Sequence, residues 1–305
     1  MTNTSRRTVL TSVAAVAAAL PTLNAVVGNG ATPAAAATEF YNSNTDMYTK
    51  NAANEGVEWM RRFRIGAPVQ VTDNAKNTSV AVNSTAVIAP HGGAIESGTS
   101  ELCMAVAGYT PFDYTTDPAS AAVAGQPQRD YWMFEALANP DNQHVTSTHC
   151  DDPAALAACA NNLYAVSLHG FSEPTEKKIN VGGRDERLKR NLLAAFDKYG
   201  LNTKNSNPDW NVTVVLAGST DPINGDDPTN IVNRTRTGAG AQLEISTALR
   251  SAMFGNFSGA ANRRSTAGVP STAAPYADRF WNGFVNAVRE AIKNHELGLD
   301  VVPAP

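Results

Sequence analysis

AVIAPHGGAIESGTSE runs from Ala86 to Glu101. Its first four residues are the apolar, strand-forming core of a buried strand, and Pro90 interrupts them. An imidazole, two glycines and a carboxylate follow, at His91, Gly92, Gly93 and Glu96. A strand that only turned at the surface would use the glycines but not the acid and the imidazole. Glycine lets the backbone fold back closely, so Glu96 can return to whatever His91 holds. Such a pair suits a shared metal ion.

Outward from this stretch, short β-rich runs alternate with helical patterns, which predicts an α/β domain with a largely parallel sheet covered by helices. The expected strands are 86–89, 144–148, 163–168, 212–216 and 242–246. Helices are expected over 99–107, behind a Thr/Ser cap, and over 184–199, with Leu188, Leu192, Ala195, Phe196 and Tyr199 on one face and Gly200 as the stop. A further amphipathic helix runs through Phe280, Phe284, Ala287, Val288 and Ile292. Residues 131–137 read as a helix with Glu135 as a charge on its face, and Glu101 reads as a capping residue.

Three of the five histidines, His91, His149 and His169, stand at or just past expected strand ends. Ligands of open α/β sheets bind beyond the carboxyl ends of the strands, where residues distant in sequence converge. Adjacent strands lie about 4.8 Å apart, so imidazoles on neighbouring strands can reach one ion. His91, Glu96 and His169 would supply three donors to one Zn2+ and leave a position for water, whose pKa the metal lowers. His144 and His295 read as solvated or capping residues. A second carboxylate is needed to move the proton, and Glu244 is the candidate. In Gly240-Ala241-Gln242-Leu243-Glu244-Ile245-Ser246 it shares a face with Gln242 and Ser246, a pattern that equally suits a glutamate facing water on an edge strand.

The chain has 305 residues, and Ser5-Arg6-Arg7-Thr8-Val9-Leu10 precedes an alanine-rich apolar stretch and the small-residue run Ala34 to Ala37. Residues 1–37 read as a twin-arginine export signal, too short and too weakly apolar to span a bilayer, and this predicts a secreted protein. Residues 38–305 then form one domain. A net charge of −4 gives no electrostatic footprint for nucleic acid or an anionic membrane. Of the three cysteines, Cys150 and Cys159 are close enough in sequence for a disulfide, whereas Cys103 reads as a buried free thiol. Without a C-x-x-C pair, a cysteine zinc site is disfavoured.

The segments HGGAIESGTSE, HVTSTHCDDP, VSLHGF and NRTRTGAGAQLEIS followed by Leu249-Arg250 resemble, in the same order, the poly-γ-glutamate hydrolase family. The resemblance covers most of residues 38–305 and implies a zinc carboxypeptidase-like fold with a mixed, mostly parallel sheet. It implies His91, Glu96 and His169 as zinc ligands, Glu244 as the catalytic glutamate, and His149 either as a contact to substrate or to the developing oxyanion or as a fourth ligand. The implied activity is hydrolysis of γ-glutamyl amide bonds in an anionic polypeptide. Every residue of that polymer carries a free α-carboxylate, so arginines are wanted at the cleft, and Arg234, Arg236 and Arg184 are the candidates. The rival expectations are a zinc amidase acting on cell-wall peptides and a non-catalytic secreted binding module.

Overall fold

Among the described residues seven strands are formed: β1 Trp59–Arg64, β2 Thr85–Gly93, β3 Tyr131–Ala136, β4 Tyr164–Phe171, β5 Lys178–Gly183, β6 Thr213–Leu216 and β7 Ala241–Ser246. The computed structural model describes residues 39–67, 84–111, 122–202 and 206–302, so the export-signal segment lies outside the described residues. The strands form one sheet in the order β1-β3-β2-β4-β7-β5-β6. Only β1–β3 and β7–β5 pair antiparallel, which makes the sheet mixed and mostly parallel.

The α-helices of the described residues are α1 Asn44–Lys50, α2 Thr99–Val106, α3 Pro153–Asn161, α4 Glu186–Lys198, α5 Thr247–Ala252, α6 Ala260–Thr266 and α7 Ala277–Glu296. Alternation along the strands divides the core into two layers. Val87 and Ala89 of β2, Val166 and Leu168 of β4, and Leu243 and Ile245 of β7 pack with α2, α4 and α7. Ala86 and Ile88 of β2 and Ala165 of β4 face the other way, towards α1 and α3. On that second face the apolar layer does not extend along β4 and β7, whose facing residues there are Ser167, His169, Gln242 and Glu244, all buried polar groups.

A β-bulge decides which way His91 points. Between Ala89 and Gly92 the strand β2 advances three residues while β3 advances two, from Met133 to Glu135. One extra residue reverses the side-chain alternation. Without it His91 would follow Val87 and Ala89 under α2. Gly92 takes that position instead: a Cβ there would stand 2.2 Å from Ser100 Oγ of α2, so a side chain is excluded. Pro90, which has no N–H to give to a ladder, sits inside the bulge.

Several expectations are corrected. Residues 131–137 are not helical: Tyr131–Ala136 is β3, an aromatic-rich strand buried on both faces, and Glu135 is buried and paired with Arg62. Residues 144–148 form no strand but an irregular segment ending in a 3-10 turn, Ser147–His149. Strands β2 and β4 run on through His91 and His169, so both histidines lie within strands rather than beyond them. Glu101 is buried against Arg263. His295, on α7, is buried 3.0 Å from Asp185 rather than solvated. All three cysteines are free and buried. No helix among the described residues is long and apolar enough to cross a membrane.

Candidate metal centre

The turn after β2 closes tightly, with the Glu96 N–H donating to the His91 carbonyl at 2.8 Å. Gly93 makes this possible at a φ of 68°, where an added Cβ would meet the Ala136 carbonyl oxygen at 2.2 Å. The Glu96 carboxylate thereby reaches back to His91, Oε1 lying 2.7 Å from Nδ1. Its other oxygen, Oε2, accepts the Gly170 N–H at 2.8 Å and lies 3.5 Å from His169 Nδ1. The two Nδ1 atoms are 3.1 Å apart. Three donor atoms from β2, its turn and β4 thus meet at one point.

The far sides of both rings are held. His91 Nε2 donates to the Val145 carbonyl at 2.9 Å, which commits its Nδ1 lone pair to the cluster when the ring is neutral. His169 Nε2 lies 2.9 Å from the Ser167 hydroxyl and 3.2 Å from that of Ser147. Lone pairs and a carboxylate packed this closely out of water require a positive charge between them. The titration behaviour has the same sign. Burial opposes a charged His91, but the charge and hydrogen bond of Glu96 outweigh it and raise the imidazole pKa. Burial likewise opposes an ionised Glu96, and His91 and His169 overcome it, holding the carboxyl far below its usual range. A divalent cation with nitrogen and oxygen ligands satisfies this donor set, and zinc fits it.

His144 joins the cluster, contrary to its expected solvated role. Its ring lies 4.1 Å from that of His91 between centroids, and one ligand atom each from His91, Glu96 and His144 fall within 4.8 Å of one another. His91 nearby, and then burial, push its pKa down to about 3, and its Nδ1 is buried without a hydrogen-bond partner. The clue was present in HVTSTHC, but an imidazole preceding a supposed strand reads as a surface residue.

Glu244 stands beside these donors because β4 and β7 pair in register, His169 opposite Glu244. It is an interior residue of a central strand, which removes the edge-strand reading. Burial raises its pKa to about 7, with the nearby charge of Glu96 adding to the rise. Gln242 donates to Oε1 at 2.9 Å and is itself held by Asn230 at 3.0 Å.

Arg250 is a further residue that sequence reasoning did not single out for a role. Its buried guanidinium donates to the carbonyls of Ser97 at 2.7 Å, Ile245 at 3.0 Å and Phe171 at 3.3 Å. These carbonyls belong to the segments carrying Glu96, Glu244 and His169, so one planar cation ties the three together.

The remaining candidates lie elsewhere. His149 is exposed and its Nδ1 is 2.8 Å from Glu39 Oε2; Glu39 also accepts the Thr146 N–H. Its ring therefore braces the outside of the loop that supports His91 and His169. Arg184 is exposed, and its N–H donates to the Gly240 carbonyl, just before β7 begins. The Arg236 N–H donates to the Asn162 carbonyl, before β4 begins, and Arg234 acts electrostatically on Cys159 at the end of α3. At ~3.3 Å per residue Gly240 is roughly 13 Å along the sheet from Glu244, and Asn162 roughly 23 Å from His169. The backbone of the arginines lies at the end where the parallel strands start, because the loops bearing them lead into β7 or out of the antiparallel β5.

The mixed seven-stranded sheet and its flanking helices give the chain a zinc carboxypeptidase-like α/β fold. More narrowly, the poly-gamma-glutamate hydrolase family model matches residues 69–116 and 112–274, and the chain belongs to that family of amide-cleaving hydrolases. It is 34% identical over 212 residues to the UPF0714 protein YndL of Bacillus subtilis (strain 168), covering 68% of this chain and 67% of that protein. It is 31% identical over 173 residues to YmaC of the same organism, 56% of this chain and 60% of that one. A solved bacteriophage poly-gamma-glutamate hydrolase superimposes with a TM-score of 0.60 at 25% identity, over 85% of this chain and 98% of that one. A zinc-free apo form of YndL also matches with a TM-score of 0.60, at 26% identity over 85% and 99%.

Proposed function

We propose that the chain is a secreted, zinc-dependent hydrolase that cuts γ-glutamyl amide bonds of an anionic polypeptide, holding one ion per chain through His91, Glu96 and His169 and using Glu244 as general base. The observation that carries this reading is the meeting of three donor atoms at about 3 Å with a buried carboxyl on the neighbouring strand in register. Family membership supports the chemistry and the polymer, and the zinc-free form of YndL supports the choice of metal.

Bound zinc would supply the positive charge that makes water acidic and an amide carbonyl electrophilic. The protein groups do the rest. Val145 and the two serines fix the imidazoles in place, and Arg250 fixes the strands that carry them. Glu244 takes a proton from the attacking water and returns it to the departing nitrogen, and its burial, which favours the protonated carboxyl, helps it to hold that proton between the two transfers. The Gln242 amide orients the Glu244 carboxyl for both transfers. Export by the twin-arginine route, read from Arg6-Arg7, would deliver the enzyme to an extracellular polymer.

A panel of poly-γ-glutamate, α-linked polyglutamate and peptidoglycan, with and without chelator, tests the reading. The expected result is cleavage of the γ-linked polymer, abolished by chelator and restored by zinc. Cleavage indifferent to chelator, or confined to another substrate, would contradict it.

A further inference from the structure

Beyond Glu244, the sheet floor continues onto β5. The antiparallel register places Asn180 directly opposite Glu244. Ile179 and Val181, its neighbours, are buried in the layer under α4 and α7, so Asn180 projects to the same face as Glu244 and His169. It is half-buried, and its side-chain amide has no hydrogen-bond partner among the described residues, whereas Gln242 beside it is fully engaged with Ile223, Asn230 and Glu244. Across this face the order is His169, Glu244, Asn180, with the metal ligands on one side of the general base and a free amide on the other.

Resting on the hydrolase reading, we propose that Asn180 is a substrate-binding residue, its amide holding the α-carboxylate of the residue on the leaving side of the scissile γ-glutamyl bond. The bond chemistry explains the placement. In a γ-linked chain the carbon attached to the scissile nitrogen bears a free carboxylate. When the carbonyl faces the metal ligands and the nitrogen faces Glu244, that carboxylate lies just past Glu244. Directly opposed residues on paired strands have Cβ atoms about 4.5–5.5 Å apart, which is the offset required. In an α-linked polymer the same carbon carries a neutral peptide carbonyl in all but the last residue. Asn180 thereby favours the γ-linkage without adding a positive charge beside the metal.

The test compares zinc-loaded wild type, Asn180→Ala and Asn180→Asp on poly-γ-glutamate and on a γ-glutamyl alkylamide whose leaving amine lacks a carboxylate. The expected result is a KM on the polymer raised about tenfold in Asn180→Ala, since hydrogen bonds to charged groups are the stronger kind, and raised further in Asn180→Asp by like-charge repulsion. Zinc content, and KM on the alkylamide, should stay at wild-type values. An unchanged polymer KM, an Asp variant no worse than the Ala variant, or equal losses on both substrates would each overturn the assignment. Wild type that cleaves neither substrate would instead refute the hydrolase reading, and this proposal with it.

Discussion

Two buried pairs of histidine and carboxylate sit at opposite ends of one sheet. Where the parallel strands begin, His295 Nε2 lies 3.0 Å from Asp185 Oδ2, and the next residue, Glu296, accepts from Arg129 at 2.9 Å. Where they end, His91 Nδ1 lies 2.7 Å from Glu96 Oε1. At the first end the carboxylates have further partners: Asp185 also caps α4 through the Leu188 N–H at 2.9 Å, and Glu296 also takes the Ser84 N–H at 3.0 Å and the Thr85 hydroxyl at 2.8 Å. At the second end His169 and His144 crowd the same carboxylate, and Glu244 waits one strand away. Burying charge is tolerable when each charge has its counterpart. The first end is a staple in this sense, while the second gathers the donor set of a cation site.

The sharpest break in the comparison is expected from the ligands. His91→Ala or His169→Ala should lose zinc and turnover together, whereas Glu244→Gln should keep zinc and lose about 10²–10⁴-fold in kcat, as measured by metal analysis and steady-state kinetics. The staple should fail in the opposite way. Removing one partner of a buried ion pair costs about 3–5 kcal/mol, so Glu296→Ala should show that loss in urea unfolding while its zinc affinity stays at the wild-type value.

A smaller effect follows from the raised pKa of Glu244. Because folding raises this pKa to about 7, its stabilising contribution is whole below the ordinary carboxylate range and is lost as pH rises through neutrality. Metal-free wild type should therefore lose on the order of 2–3 kcal/mol between about pH 4 and pH 8 relative to Glu244→Gln, in paired unfolding curves. Ser147→Ala, which removes a brace from His169, should weaken zinc about tenfold in chelator competition and leave the Asp185–His295 end untouched.

The two ends also differ in how far they could be read from sequence. His91, the glycine pair and Glu96 were legible because a strand, a sharp turn and two ligand-type residues lie within a few positions. Leu243 and Ile245 placed Glu244 on the opposite face by simple alternation, and periodicity located α2, α4 and α7 closely. The bulge that turns His91 towards His169 was hidden, since only pairing with β3 reveals the extra residue. Strand β3 itself was mistaken for a helix because a short run buried on both faces carries no period. His144, Arg250 and Asn180 owe their places to register and long-range packing, which local pattern does not encode. For the same reason nearness in sequence to β5 and β7 did not reveal that Arg184 and Arg236 are anchored at the opposite end of the sheet from His91 and His169.

Calorimetric titration of zinc into the metal-free protein, wild type beside His169→Ala, tests the central claim most directly. The account predicts one tight equivalent per wild-type chain and binding weakened at least 100-fold in the variant. Absence of binding in wild type, or identical isotherms for the two proteins, would contradict it.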